Sequence, residues 1–101
     1  QALDTAQRLD NLAKSDTEII RSLGRASDSA LLVHHALRER PIATANWLAG
    51  KTGLTPATIN KSLAHLQRLE IVRELTRKKR NRLFVHTRHV AILNEGTGLP
   101  E

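Results

Sequence analysis

Residues 44–82 contain two sets of side chains that could bind a ligand. The first is mostly short and polar, and the second is a dense run of basic residues. Groups of these types recognise nucleic acids, because small polar side chains can approach base edges while Lys and Arg bind phosphates. The first set of candidates is Thr44, Thr55, Ala57, Thr58, Asn60, Lys61, His65 and Arg68. The second set is Arg77, Lys78, Lys79, Arg80 and Arg82. Together they predict binding to double-stranded DNA.

The middle of the chain has the capping signals of a helix-turn-helix. Thr44 precedes a short helix as its side-chain N-cap, and Gly53 stands where a helix end needs a residue with positive φ. Thr55 then caps a second helix, with Pro56 at the first position, where the missing N–H is not needed. The second helix, 56–69, has an apolar face, and its polar face would enter the major groove.

A basic hairpin follows the second helix. Its two short strands are predicted at 71–75 and 83–86, and five of the seven residues at 76–82 are Lys or Arg. A hairpin in this place is the wing of a winged helix, and its charge would lie beside the groove-binding helix. The predicted fold is therefore mainly α with a small β-hairpin: a winged helix-turn-helix preceded by a long N-terminal helix.

The leading helix is predicted at 5–23, with Gly24 as its C-terminal stop. Asp16 interrupts its apolar stripe, whose members are Leu9, Leu12, Ala13, Ile19, Ile20 and Leu23. Because a winged-helix core does not need this stripe, the helix has three possible destinations. It can pack back on the domain, pair with a second copy of the chain, or dock on a part of a longer protein. Of these, we expect the stripe to be buried against a second chain or against the absent domain.

Two further helices complete the prediction. Ser27 or Asp28 should cap a helix that runs to about Arg38, and a last short helix is expected at 88–93. The predicted division is a leading helix at 1–25, a winged helix-turn-helix domain at 26–98 and a tail at 99–101.

Composition narrows the class of protein. The 101 residues have a net charge of +6, and the whole excess lies in residues 41–101, because residues 1–40 have six basic and six acidic groups. The absence of cysteine excludes disulfides and Cys-based zinc fingers and fits a reducing cytoplasm. The longest apolar run has four residues, too few for a membrane span. We therefore expect a cytoplasmic protein without membrane contact, and the methionine-free sequence predicts a fragment of a longer one.

Three stretches resemble the C-terminal winged-helix domain of Fic-family proteins. They are Ala30-Leu31-Leu32, the run 55–63 and Ala91-Ile92-Leu93-Asn94-Glu95-Gly96, and the resemblance covers about residues 26–98. It implies a bacterial-type regulatory domain whose leading helix joins, and contacts, a catalytic Fic domain. That catalytic domain transfers AMP from ATP to protein hydroxyls. Family members usually have an aromatic residue in the second wing strand at about the position of His86, where this sequence has histidine.

The Fic signature itself, His-Pro-Phe-x-x-Gly-Asn-Gly-Arg, is absent. No histidine of the chain is followed by proline, so the resemblance implies an enzyme parent and a non-catalytic fragment. No other catalytic pattern occurs, since the serines lack the glycines of a nucleophile elbow and no phosphate-binding glycine loop is present. The sequence therefore predicts no catalytic residue and no cofactor.

The remaining candidate residues have plain interpretations. Adjacent residues on a helix point about 100° apart, so His34 and His35 cannot form the i, i+4 pair of a helical metal site. His86 and His89 are predicted at the surface, and no metal site is predicted. Trp47 should cover the edge of the core, with a partner interface as the alternative.

Two classes of function remain open. A DNA-binding regulator of transcription is favoured by the charge of the wing and by small residues at the start of the second helix. A protein-interaction or dimerisation module is favoured by the helix itself, whose only permanent charges are Lys61 and Arg68. A winged-helix fold serves both classes, so the fold alone does not decide between them.

Overall fold

The computed structural model describes residues 4–77 and 79–96. It confirms the predicted fold class: a helix-turn-helix and a basic wing, preceded by a long helix. The elements, in chain order, are α1 Thr5–Arg21, a 3-10 helix Gly24–Ala26, α2 Ser27–Glu39, β1 Ile42–Thr44, α3 Ala45–Thr52, α4 Pro56–Arg68, β2 Val72–Glu74, β3 Leu83–His86 and α5 Thr87–Gly96. Within the described ranges, no helix combines the length and the hydropathy that crossing a bilayer requires.

The sheet has three antiparallel strands in the order β1-β3-β2, one more than the predicted hairpin. In the register of β1, Ala43 lies opposite Phe84 and Thr44 opposite Leu83. Only Ala43 of β1 is buried, whereas Ile42 is 45% exposed. A three-residue strand of this composition has too short an alternation to be recognised in sequence. Its position matters because β1 holds the start of α3 against the wing.

The caps of the helix-turn-helix are confirmed. The Thr44 hydroxyl accepts a hydrogen bond from the Trp47 N–H at 3.0 Å, and the Thr55 hydroxyl accepts one from the Thr58 N–H at 3.2 Å. Gly53 ends α3 with φ at 76°, a left-handed conformation that a side chain would disfavour. These local interactions fix the lengths of α3 and α4 and the turn between them.

The predicted start of α2 is wrong. Neither Ser27 nor Asp28 caps the helix, because the 3-10 turn runs directly into α2 and Ala26 occupies the cap position without a side-chain hydrogen bond. Helix α1 ends at Arg21, and Gly24 is not its stop but the first residue of that turn, at φ 70°. The chain therefore passes from α1 to α2 through a turn at Ser22 and Leu23 followed by the 3-10 helix.

Helix α1 packs on the rest of the fold, in contact with α2 and α5. Ile20 is fully buried in the common core, and the Leu23 side chain packs against it. Arg8 of α1 forms an ion pair with Glu95 of α5, which ties the two ends of the described chain together. The leading helix thus packs back on its own chain, whereas its stripe was expected to be buried against a second chain or an absent domain. The division of the chain at residue 25 stays a prediction.

The hydrophobic core lies between α2, α4 and the inner face of the sheet. Helices α1 and α3 close it with one fully buried side chain each. The core residues are Ile20, Ala30, Val33, Ala36, Leu37, Ala43, Leu48, Ile59, Leu63, Leu66, Ile71, Val72 and Phe84. Because α4 has three of these anchors, its opposite face is held toward solvent.

Candidate nucleic-acid interface

Helix α4 presents part of the predicted polar face to solvent. Ala57, Asn60, Lys61 and Arg68 are exposed, whereas Thr58 and His65 are half-buried. The Arg68 guanidinium donates to His65 Nδ1 at 2.6 Å, so these two side chains hold one another along the last turn of the helix. The exposed residues are short or basic, which leaves room for a polyanion to approach the helix backbone.

Thr44, Thr55 and Thr58 serve a different purpose in the structure. The Thr44 and Thr55 hydroxyls bind the first turns of α3 and α4, and the Thr55 hydroxyl also donates to that of Thr58 at 3.0 Å. A hydroxyl committed to a cap has less hydrogen-bonding capacity left for a ligand. Their role at an interface with DNA stays a prediction, whereas their capping role is shown.

The base of the wing is held by a bidentate ion pair. Arg82 donates from Nε to Glu74 Oε2 at 3.1 Å and from Nη2 to Glu74 Oε1 at 2.9 Å, and its guanidinium lies 5.1 Å from the Phe84 ring centroid. The Arg82 hydrogen bonds hold the pKa of Glu74 below its usual value, and Glu74 in turn raises the pKa of Arg82. Arg82 is therefore committed to closing the hairpin.

The tip of the wing differs from its base. Arg77, Lys79 and Arg80 are exposed, and Asn81 turns the chain with φ at 55°. Lys78, the fourth basic residue of the predicted set at the tip, lies outside the described residues. Like charges so close together repel one another, and a phosphate backbone would relieve that repulsion.

Strand β1 brings the wing and the helix-turn-helix together. The Ala45 N–H donates to the Arg82 carbonyl at 3.0 Å, which links the first residue of α3 to the wing. Between them is an open cleft of about 540 Å³ with a mostly polar lining. Among the described residues its lining is Ala45, Asn46, Ala49, Pro56, Ile59, Asn60, Lys79, Arg80, Asn81 and Arg82. The cleft thus joins Asn60 of α4 to three of the predicted wing cations.

Sequence reasoning misplaced two histidines. His86 and His89, predicted at the surface, are 1% and 6% exposed. Burial is the main cause that lowers the pKa of His86 to about 4, and burial also lowers the pKa of His89. Asp16 and His34 are buried beside them, so that Asp16, His34 and His86 form a group with the chemistry of metal ligands. The one signal in the sequence was Asp16, a carboxylate within an apolar stripe.

Trp47 lies at the core edge, as predicted. The side chain is half-buried and packs against the core, and the Arg40 guanidinium lies 4.4 Å from the centroid of its ring. A cation in this position is attracted to the aromatic face. The arrangement covers the outer side of the indole and joins α3 to the end of α2.

Comparison with known proteins assigns no family. No protein-family model matches the sequence, and no curated protein does. Among solved structures, the chain is similar to a mutant of Lactococcus lactis ZitR in apo form, with 22% sequence identity and a TM-score of 0.46. The similarity covers 96% of this chain and 73% of the other.

Proposed function

We propose that this chain is a DNA-binding winged-helix module, with α4 in the major groove and the wing on the phosphate backbone. The observation that carries the proposal is the cleft between them, which places Asn60 of α4 next to Lys79 and Arg80 of the wing. Asn60 can bind a base edge, and Lys79 and Arg80 can bind phosphates. One concave surface with both kinds of side chain suits a duplex, whose grooves lie between charged backbones.

Charge supports the same proposal. The net charge of +6 arises entirely after residue 40, where α4 and the wing are located. Glu74, the acidic residue of β2, is neutralised by Arg82, so that it does not oppose the exposed cations at the tip. The exposed cations of the wing tip are therefore available to a duplex.

The finer proposal is that the module regulates a Fic-family AMP-transferase. Its support is the resemblance of residues 26–98, above all the run Ala91-Ile92-Leu93-Asn94-Glu95-Gly96, to the C-terminal domain of that family. In such a parent the chain would supply DNA binding, and the catalytic signature would lie elsewhere in the protein.

A protein-docking module is the second candidate. The observation that favours it is an apolar groove of about 530 Å³ between α1 and α2, where Leu32 is 48% exposed. Ile19 on α1 is also 36% exposed. A partner helix could cover these side chains, whether from a second copy or from a catalytic domain.

A salt titration separates the two functions. We would measure the affinity for a mixed-sequence duplex by fluorescence anisotropy at several salt concentrations, for the native sequence and for a Lys79→Gln/Arg80→Gln variant. Each phosphate contact contributes about 0.9 to the slope of log affinity against log salt, so the variant should lose nearly two. The matched control is Arg21→Gln/Arg25→Gln, which removes the same charge from exposed positions outside the helix-turn-helix and wing.

The expected result is a smaller slope for the wing variant and an unchanged slope for the control. Equal slopes for all three proteins would show that the wing does not contact phosphates, and the docking function would then be preferred. Equal losses in both variants would show attraction to net charge without a defined interface.

A further inference from the structure

Three elements that are far apart in sequence bring ligand-type side chains to one buried point. Asp16 comes from α1, His34 from α2 and His86 from the end of β3, and they are 0%, 3% and 1% exposed. The His34 and His86 ring centroids are 5.1 Å apart. The position of His86 is fixed by its main-chain N–H, which donates to the Pro41 carbonyl at 2.8 Å. None of the three side chains belongs to the proposed DNA surface.

Hydrogen bonding within the cluster is incomplete. Asp16 Oδ2 lies 3.0 Å from His34 Nε2 and 3.5 Å from His86 Nε2, so both rings address one carboxylate oxygen. One other buried atom, Asp16 Oδ1, has no hydrogen-bond partner among the described residues. The His86 ring, by contrast, has a main-chain hydrogen bond with Ile71 that acts to raise its pKa. A buried carboxylate oxygen without a donor costs about 1–3 kcal/mol or more, because it has lost its hydration. Such a group in a folded protein calls for an explanation, and an ion is one.

We propose that Asp16, His34 and His86 form a binding site for a divalent transition metal ion of the zinc type. Their ligand atoms all lie within 4.8 Å of one another. Ligand atoms about 2.0–2.1 Å from a tetrahedral zinc ion stand roughly 3.3–3.4 Å apart. The observed separations of 3.0 and 3.5 Å from the carboxylate oxygen lie on either side of that value. The third separation, between the two imidazole nitrogens, is at most 4.8 Å, so binding would draw the two rings together around the ion.

The donor set selects the class of metal. Two imidazole nitrogens and one carboxylate oxygen suit zinc and neighbouring transition metals, whereas magnesium and calcium prefer oxygen ligands throughout. Three protein ligands leave a fourth position for water. A bound metal ion would neutralise the Asp16 carboxylate. It would also separate the two imidazole rings from the carboxylate oxygen that both now contact.

One ligand of the site borders a groove at the surface. His34 also lines the groove between α1 and α2, together with Ala13, Thr17 and His35. An ion entering by this groove would reach His34 first. His89, whose ring centroid is 5.3 Å from that of His86, is 6% exposed and covers another side of the cluster. The site thus combines a buried ligand set with a groove that reaches His34, and the proposal requires an ion to enter there.

The test is metal binding to the untagged chain. Protein freed of metal with a chelator would be titrated with Co²⁺, whose visible absorption reports four-coordinate binding, and then with Zn²⁺ in competition. We expect one equivalent to bind, and a melting temperature that rises with free Zn²⁺ because the ion binds the folded state. In ¹⁵N spectra, zinc should shift the Nε2 signals of His34 and His86.

Variants locate the site. His34→Gln and Asp16→Asn should weaken binding at least by the roughly 10–100-fold that loss of a ligand's supporting partner costs. His35→Gln is the matched control, because His35 is the exposed neighbour of His34 and lines the same groove. Circular dichroism would check folding, and the ¹⁵N shifts of the native sequence test the site even if a variant does not fold.

Two results would overturn the proposal. The first is the absence of a saturable one-equivalent step at micromolar metal, which would leave Asp16 and the two histidines as a buried hydrogen-bonded group. The second is binding that survives His34→Gln but is lost in His35→Gln, since it would place the metal on surface histidines.

Discussion

The wing and the buried Asp16–His34–His86 cluster are both dense in ionisable groups, but they differ in what surrounds those groups. At the wing tip, Arg77, Lys79 and Arg80 are exposed to water, which screens their repulsion. In the cluster, three side chains are at most 3% exposed and contact one another below the surface. Charge at the wing is therefore available to a partner, whereas the buried polar groups of the cluster affect the stability of the fold.

The largest expected effect is in the buried cluster, where acid should lower the free energy of unfolding. The pKa of His86 is about 4 in the folded chain and 6.5 in the unfolded one, chiefly because burial disfavours the charged ring. Between these values the unfolded state binds the extra proton, so stability is complete above pH 6.5 and falls as the pH is lowered toward 4. The loss is on the order of 3 kcal/mol across that window.

This effect can be measured by urea unfolding of metal-free protein at several pH values. The groups that face the His86 ring are His34 and His89, which oppose its protonation, and Asp16, which favours it. A His86→Phe variant removes the titrating group, so its stability should vary less with pH than that of the native sequence. An NMR titration in which the His86 ring gains its proton near pH 6.5 would contradict the prediction.

The next effect concerns the exposed region. Lys61 is exposed on α4 and should contact a base edge or phosphate in a selected DNA site. Lys61→Ala should therefore weaken binding to that site by roughly 1–3 kcal/mol and leave the free energy of unfolding nearly unchanged. The measurements are anisotropy at fixed salt and urea unfolding. Lys14→Ala, an exposed charge on α1, is the control with the same change in net charge.

An unchanged affinity for the selected site in Lys61→Ala would remove α4 from the major groove. A similar loss in Lys14→Ala would instead attribute the effect to net charge. Either result would mean that the exposed face of α4 does not form a specific DNA contact, and α4 would then no longer differ from the buried cluster in having a partner.

Local signals in the sequence were sufficient for most of the fold and for the exposed region. Thr44, Gly53 and Thr55 were identified because a cap depends on residues within one turn of it. The strand at Leu83–His86 was identified with its observed bounds, since it follows a turn-forming basic run. Exposed charge could be predicted for the same reason: a run of Lys and Arg is visible without knowledge of the fold.

The buried cluster could not be predicted in this way. His86 is the last residue of a predicted strand, and in the fold it lies against Asp16 of α1 and His34 of α2, both more than fifty residues away in sequence. Strand β1 was missed because its pairing partner, β3, lies about forty residues away. Asp16 stood out as a break in an apolar stripe, but its partners come from two other elements, and no spacing rule connects them.

The smallest effect on the free energy of unfolding is expected from removing charge at the wing tip, where the basic residues are densest. Lys79→Gln/Arg80→Gln removes two exposed cations from the wing tip, whereas the Arg82–Glu74 ion pair at the base is retained. Because the tip charges repel one another and make no described ion pair, the free energy of unfolding should change by less than about 0.5 kcal/mol, with a slight gain. Urea unfolding at low and high salt is the measurement, and the gain should vanish at high salt, where the repulsion is screened. A loss above about 1 kcal/mol would mean that the tip cations stabilise the hairpin, and the wing would then resemble the buried cluster in acting on the fold.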